Sequence, residues 1–230
     1  MFLQGSVAPA LLEVYRRLYH HYGPQGWWPG EGPLDVVIGA ILTQAAAWRN
    51  VELALRNLKE VLPGKDWSLE AIHQMPEGEL ANIIRPCGFF NTKARKLQAF
   101  ARHVCQHYRG DLAAFLSQET GQLRAELLSI HGIGQETADA ILLYAAGRPA
   151  FVIDAYTQRI MLRVGIAPEG KADNYLAYQA LFQDNLPQDA VLFNEFHALL
   201  DRHAKDTCAK VPRCPGCCLR EVCATGRTYR

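Results

Sequence analysis

The stretch Leu127–Asp154, LLSIHGIGQETADAILLYAAGRPAFVID, constrains the fold more than any other part of the 230-residue chain. Its apolar spacing predicts a helix ending at Ile130, a tight Gly132-Ile133-Gly134 turn, and a second helix from about Gln135 to Ala146. A Gly147-Arg148-Pro149 break ends that helix, and a short apolar run delivers Asp154, 20 residues past Gly134. The turn glycines allow positive φ and carry no Cβ, so the N–H groups opening the second helix can approach an anion such as a nucleic-acid phosphate. The same turn also serves as an ordinary helix connection. Asp154 suits the N-cap of a helix over Ala155–Val164, a role compatible with a chemical one.

The sharpest spacing lies in the tail. Cys208, Cys214, Cys217 and Cys223 form C-x5-C-x2-C-x5-C, with Cys218 left over, because taking it in place of Cys217 would break the C-x-x-C. Five of the seven cysteines fall within 16 residues of a chain that opens without a secretory pattern, which argues for metal rather than disulfides. The ligand set is open to an iron–sulfur cluster or to zinc.

The run LLSIHGIGQETADAILLYAAGRPAFVIDAYTQRI resembles the helix-hairpin-helix and Gly/Pro-Asp loop of the endonuclease III-like DNA glycosylases. In that family the hairpin, here Gly132 and Gly134, grips the DNA backbone. The aspartate, here Asp154, stabilises the sugar cation or activates the attacking group. Strand-cleaving members carry a lysine two residues after the second glycine, since an amine is required for a Schiff base. Glu136 stands there instead, so the resemblance implies a monofunctional glycosylase that uses water, with Glu136 beside Asp154 in the catalytic set. Glu136 is equally a first-turn acid favoured by the helix dipole, and Asp139 one turn on reads as a solvated acid.

Earlier in the chain Trp27-Trp28-Pro29, Leu42-Thr43-Gln44 and Trp48 resemble the 3-methyladenine branch of that family. The resemblance implies a base pocket of Trp28, Pro29 and Trp48, although Ala45 replaces the usual Asn after the Gln. A cationic alkylpurine would stack on indole with a cation–π contribution of about 1 kcal/mol or more when desolvated. Such a base is also a good leaving group. Pro86-Cys87-Gly88-Phe89-Phe90-Asn91-Thr92-Lys93-Ala94-Arg95-Lys96 puts two aromatics on a glycine loop ahead of three cations, which suits a wedge between stacked bases with phosphate contacts from Lys93 and its neighbours. By resemblance Phe89 intercalates and Gln44 fills the gap left by the flipped nucleotide. Phe90 is expected to turn inward, and Cys87 and Cys105 to be buried apolar residues.

The tail is similar to the [4Fe–4S] loop of endonuclease III, its first spacer one residue shorter, which favours iron–sulfur over zinc. Residues 201–230 carry seven Lys/Arg against three Asp/Glu, a net +4 that four thiolates on a 2+ cluster would reduce to about +2. Lys205, Lys210, Arg213 and Arg220 are the candidate phosphate contacts there. The whole chain is only +1, so a DNA surface must be a local concentration of charge.

The remaining helices are expected over Pro9–Tyr22, along the apolar Leu34–Leu42 run, which leads into residues 43–50 and the start of another amphipathic helix through Leu58, from Ser68, over Pro76–Arg85, and, after a break at Gly165–Gly170, over Asn174–Gln183 and Gln188–His203. His197 is assigned to packing or a phosphate contact. No segment approaches 18 consecutive apolar residues, so no membrane partner is expected and the chain reads as cytoplasmic, nucleoid-associated if bacterial. The resemblance implies an all-α, two-lobed helix-hairpin-helix glycosylase fold. Residues 25–147 would form a helical barrel-like lobe, and 1–24 with 148–230 a cluster lobe whose loop is 208–223. Asp154 would lie in the cleft, and a monomer would act on double-stranded DNA containing a damaged base. The expected reaction is hydrolysis of the N-glycosidic bond of an alkylated purine such as 3-methyladenine. Excision of another base, such as a mismatched adenine, thymine or uracil or an oxidised pyrimidine, or DNA binding without catalysis, are the alternatives.

Overall fold

The computed structural model describes residues 7–168 and 174–229, and every regular element among them is helical. The expected break at Gly165–Gly170 is therefore described only as far as Pro168. The chain divides into two compact units, residues 28–148 and residues 1–27 with 149–230.

The second unit opens with α1, Val7–Tyr22, which buries Ala10, Leu11, Val14 and Leu18 along one stripe and stops at Gly23. The first unit is built around α2, Pro33–Leu42. Proline at its N-terminus presets φ, and every residue from Asp35 to Leu42 is buried, so α2 is its central helix. Helix α3, Trp48–Val61, packs against it. The sequence begins another helix within residues 43–50, and the chain first turns at Thr43. Thr43 Oγ1 donates back to Gly39 O at 2.6 Å, Ala45 takes φ +51°, and the next helix starts only at Trp48.

Helix α4, Leu69–Gln74, is capped by Ser68, and α5 spans Glu77–Ile83; a 3-10 turn, Arg85–Cys87, takes over where the sequence suggested more α-helix. Both helices rest on α6, Phe90–Tyr108. Helices α7, Leu112–Leu116, and α8, Thr120–Ser129, lead into the Gly132 turn and α9, Gln135–Ala140. The sequence predicted one α-helix to Ala146. From Ile141 to Ala145 the coil instead widens to a π-turn, with the Ala146 N–H donating to Ile141 O at 3.0 Å. The wider turn brings three successive apolar residues, Ile141, Leu142 and Leu143, into the core beside α2.

The second unit resumes at Phe151-Val152-Ile153, all buried, and continues through α10 (Ala155–Val164), α11 (Tyr175–Gln183), α12 (Ala190–Asp206) and α13 (Ala224–Thr228). Its core is aromatic. Phe151 stacks on Phe182 at 3.8 Å and meets Phe193 and Phe196 edge-on, with α1 and α10 packed against α12.

Candidate functional site

The hairpin is held from beneath by two side chains of its own unit. Gly132 has φ +87°, and a Cβ there would fall 2.2 Å from Lys96 Cγ, so the lysine stem lies directly across it. Gln44 Nε2 donates to Gly132 O at 3.1 Å and to Thr137 Oγ1 at 2.9 Å, while Lys96 Nζ donates to Gln44 Oε1. Gln44 thus ties the turn after α2 to the start of α9. Lys96 is a functional neighbour that the sequence reading noticed only as one of three cations. Gly134 is the extended N-cap of α9, and Glu136 is exposed on the first turn.

Two charged residues fall elsewhere than expected. Lys93, read as a phosphate contact, is 2% exposed, and its Nζ donates to Leu42 O and Cys87 O at 2.8 Å each. Its position on α6 faces the core, and the ammonium there satisfies two carbonyls at helix ends instead of a phosphate. Burial pushes the Lys93 ammonium down, and burial pushes the Cys87 thiol up to about 11 against the opposing pull of Lys93. Asp139, read as solvated, is 0% exposed and takes both Arg124 Nε at 2.7 Å and an Arg124 terminal nitrogen at 3.0 Å.

The Gly88 loop that Lys93 anchors presents Phe89, 72% exposed and held at φ +46°. A bulky residue in the left-handed region is strained by roughly 1 kcal/mol or more, and such strain collects at functional positions. Phe90 is half-buried, with the Arg85 guanidinium 4.8 Å from its ring centroid. Cys87 is buried as expected, and Cys105 is half-buried.

Trp28 meets Trp48 edge-on at 5.1 Å between centroids and tilts onto Tyr144 at 5.2 Å. Its indole lies on the backbone of α2, where a Cβ on Gly39 would come within 2.9 Å of Trp28 Cζ2. The exposed Pro29 opens with Gly30 and Trp48 onto a groove lined also by Glu52, Arg56 and Lys59. Buried Asp35 clamps that turn. Its carboxylate accepts the Glu31 N–H at 2.9 Å, Lys59 Nζ at 2.7 Å and Trp67 Nε1 at 2.9 Å. Tyr144 had no sequence signal of its own, because α-helical periodicity cannot register a residue placed by a π-turn.

In the other unit, Asp154 is the N-cap of α10, its Oδ1 accepting the Thr157 N–H at 2.7 Å. Its second oxygen is 3.9 Å from His197 Nε2 on α12, and both side chains are largely buried, at 18% and 13% exposure. The sequence reading left His197 to packing or phosphate. Its ring does meet Phe151 edge-on, but the imidazole also flanks the carboxylate.

Cys208, Cys214, Cys217 and Cys223 line one cavity together with Ile160, Val164 and Leu219. Three of the sulfurs lie within reach of N–H donors: Cys208 of Arg163 at 3.3 Å, Cys217 of the Leu219 N–H at 3.4 Å, and Cys223 of the Gly226 N–H at 3.3 Å. Arg163 also donates to the carbonyls of Ala209 and Lys210, fixing the loop on α10. Burial and the neighbouring Cys217 and Cys208 raise the Cys214 thiol, burial raises Cys223, and Cys217 is pushed up to about 12 by its hydrogen bond with Cys218 and by burial. Thiols so disposed ionise when a cation takes the protons' place. Among the described residues no three His, Cys, Asp or Glu side chains converge as they would on a single metal ion. Lys210 and Arg213 are exposed on the same loop.

Residues 38–187 match the family model of the HhH-GPD superfamily base excision DNA repair proteins. Over 215 residues, 93% of this chain and 95% of the other, the sequence is 43% identical to a Methanocaldococcus jannaschii protein provisionally named a DNA repair glycosylase. The fold is similar to that of the H. pylori 3-methyladenine DNA glycosylase MagIII bound to 1,N6-ethenoadenine, with TM-score 0.71 and 25% identity over 87% of this chain and 98% of that one. It is also similar to a trapped endonuclease III–DNA covalent intermediate, with TM-score 0.79 and 22% identity over 96% and 97% of the two chains.

Proposed function

The chain belongs to the HhH-GPD superfamily of base excision DNA repair proteins as an endonuclease III-like DNA glycosylase, and from that premise we propose a monofunctional enzyme that removes alkylated purines such as 3-methyladenine. The observation that carries the choice of base is the aromatic group of Trp28, Trp48 and Tyr144 around the Pro29 turn. Electron-rich ring faces favour a base that carries positive charge, and a neutral pyrimidine gains less from them.

The chemistry divides among few residues. As the N-glycosidic bond of a cationic purine breaks, its electron pair leaves with the base and neutralises it, so the leaving group needs no proton. Positive charge then develops on the sugar, where Asp154 supplies a fixed counter-charge, its Oδ1 on the Thr157 N–H and its Oδ2 3.9 Å from His197 Nε2. Water adds at the sugar carbon and gives its proton to a carboxylate of the catalytic set, Asp154 or Glu136. No lysine stands between Ile133 and Asp154, which supports water over an amine as the nucleophile.

Phe89 serves as the wedge, Gln44 fills the vacated stack, and the Gly132–Gly134 N–H groups with Lys210 and Arg213 hold phosphates of double-stranded DNA. Cys208, Cys214, Cys217 and Cys223 would hold a [4Fe–4S] cluster, which when bound supplies a tie fixing the Lys210–Arg213 loop. Four cysteines lining one cavity, with the C-x5-C-x2-C-x5-C spacing, support that reading.

The test is excision from duplexes carrying defined lesions, with hot alkali to reveal abasic sites. Release of 3-methyladenine without strand cleavage is expected. Release only of another base overturns the substrate, and a borohydride-trapped enzyme–DNA adduct overturns the water mechanism. Asp154→Asn keeps a cap of similar quality, so excision is expected to vanish with Tm and DNA binding retained.

A further inference from the structure

A half-buried polar chain in the second unit ends on a cysteine sulfur. His203 on α12 is 1% exposed. Its Nδ1 lies 3.0 Å from the Tyr22 hydroxyl, which lies 3.1 Å from Thr207 Oγ1, and its Nε2 lies 3.6 Å from Cys217 Sγ. Taken alone, hydroxyls and a neutral imidazole in series can be read with the protons running either way.

The sulfur end decides the direction. A cysteine that ligates metal is a thiolate and only accepts, so Nε2 must carry the proton toward Cys217. Nδ1 is then an acceptor, the Tyr22 hydroxyl must donate to it, and the Tyr22 oxygen accepts from Thr207. That single assignment satisfies buried His203 and both hydroxyls. Cys217 then receives two N–H donors, from His203 and from the Leu219 backbone, and only the first is removable by substitution.

We propose that His203, held in its Nε2–H tautomer by Tyr22, is a positioning residue that donates to the Cys217 sulfur and favours the one-electron-reduced form of a cluster bound there. An added electron raises the negative charge on the ligating sulfurs, and a hydrogen bond to a more negative acceptor is stronger. The geometry also selects Cys217 over Cys218, which does not line the cavity. This inference rests on the cluster reading above.

The experiment uses the 230-residue chain purified anaerobically, with iron and sulfide quantified first. The midpoint of the one-electron couple, with no bond made or broken, is read by protein-film voltammetry, and electron paramagnetic resonance assigns the two oxidation states. His203→Leu is expected to shift the one-electron equilibrium about tenfold toward the oxidised form, about 59 mV. His203→Gln, which can again present an N–H near the sulfur, is expected to recover most of that shift. Tyr22→Phe is expected to move it part of the way by releasing the tautomer. Unchanged midpoints in all three, with iron content equal to wild type, would overturn the inference and leave the cluster reading standing. A wild-type protein without iron and sulfide would remove the cluster reading and the inference with it. Should His203→Leu fail to fold, the Gln and Phe variants decide: a shift in Tyr22→Phe larger than in His203→Gln upholds the proposal, and no shift in either refutes it.

Discussion

The Trp28 indole resting on Gly39 gives a substitution whose two effects have opposite signs. Gly39 sits inside α2, where alanine is intrinsically better than glycine by about 0.8–1.0 kcal/mol. Its new methyl, however, would stand 2.9 Å from Trp28 Cζ2 and 3.3 Å from Cε2 and Nε1. Carbon atoms settle at about 3.5–4.0 Å, so the ring must move by roughly 0.6–1 Å. Trp48 and Tyr144 flank it at 5.1 and 5.2 Å, so that movement disturbs two aromatic contacts. Overpacking of this kind costs about 1–3 kcal/mol. Gly39→Ala should therefore be destabilised by a net of about 1 kcal/mol, a fall in Tm of about 2–4 °C.

Single-turnover excision of the alkylated base should drop by at least about tenfold, since a displacement near 1 Å at a positioning surface is costly. The control is the same change beside Trp28→Ala. With the ring gone the methyl has space, and Gly39→Ala should then stabilise by about 1 kcal/mol, the helix-propensity term alone. If Gly39→Ala raises Tm in the wild-type background and leaves excision unchanged, the Trp28 ring does not rest on α2 and the pocket is misplaced.

Phe89→Gly should remove left-handed strain and leave Tm unchanged or slightly higher, while duplex affinity and excision fall; equal excision by the variant would show that Phe89 is no wedge. Arg124→Ala removes the cation bound to fully buried Asp139 and should cost about 3 kcal/mol in urea unfolding, whereas a loss below about 1 kcal/mol would mean that Asp139 is sufficiently held by other groups. Burial by itself would raise the Glu126 carboxyl, but hydrogen bonds from Tyr108 and His103 outweigh it and hold the group below its ordinary 4.5. A lowered carboxylate contributes stability above that value and loses it as pH falls through the folded-state pKa. Tyr108→Phe should thus destabilise more at pH 7 than at pH 3, and the same difference at both, measured by urea unfolding, would contradict this account.

Much of the site was legible one residue at a time. Gly132 and Gly134 mark a turn between helices, Asp154 caps the helix that follows it, and four cysteines at fixed spacing meet at one cavity, because each depends on local backbone chemistry or on residues close in sequence. Phe89 was readable as exposed for the same reason, its glycine loop leaving it little to pack against. Helix edges slipped where a side chain or an odd turn intervened, as at Thr43 and at the π-turn after Ala140.

What sequence could not decide is which charges face inward and which distant side chains meet. Lys93 and Lys96 are three residues apart on one helix, yet Lys93 is buried against two carbonyls and Lys96 reaches the hairpin, since only the packing of α6 separates them. Asp139 beneath Arg124, His197 beside Asp154 and His203 beside Cys217 are pairings between elements, settled when helices docked and polar groups excluded from water had to find partners. Composition and periodicity fix what each helix can bury; the partner of a buried charge exists only once another helix arrives to supply it.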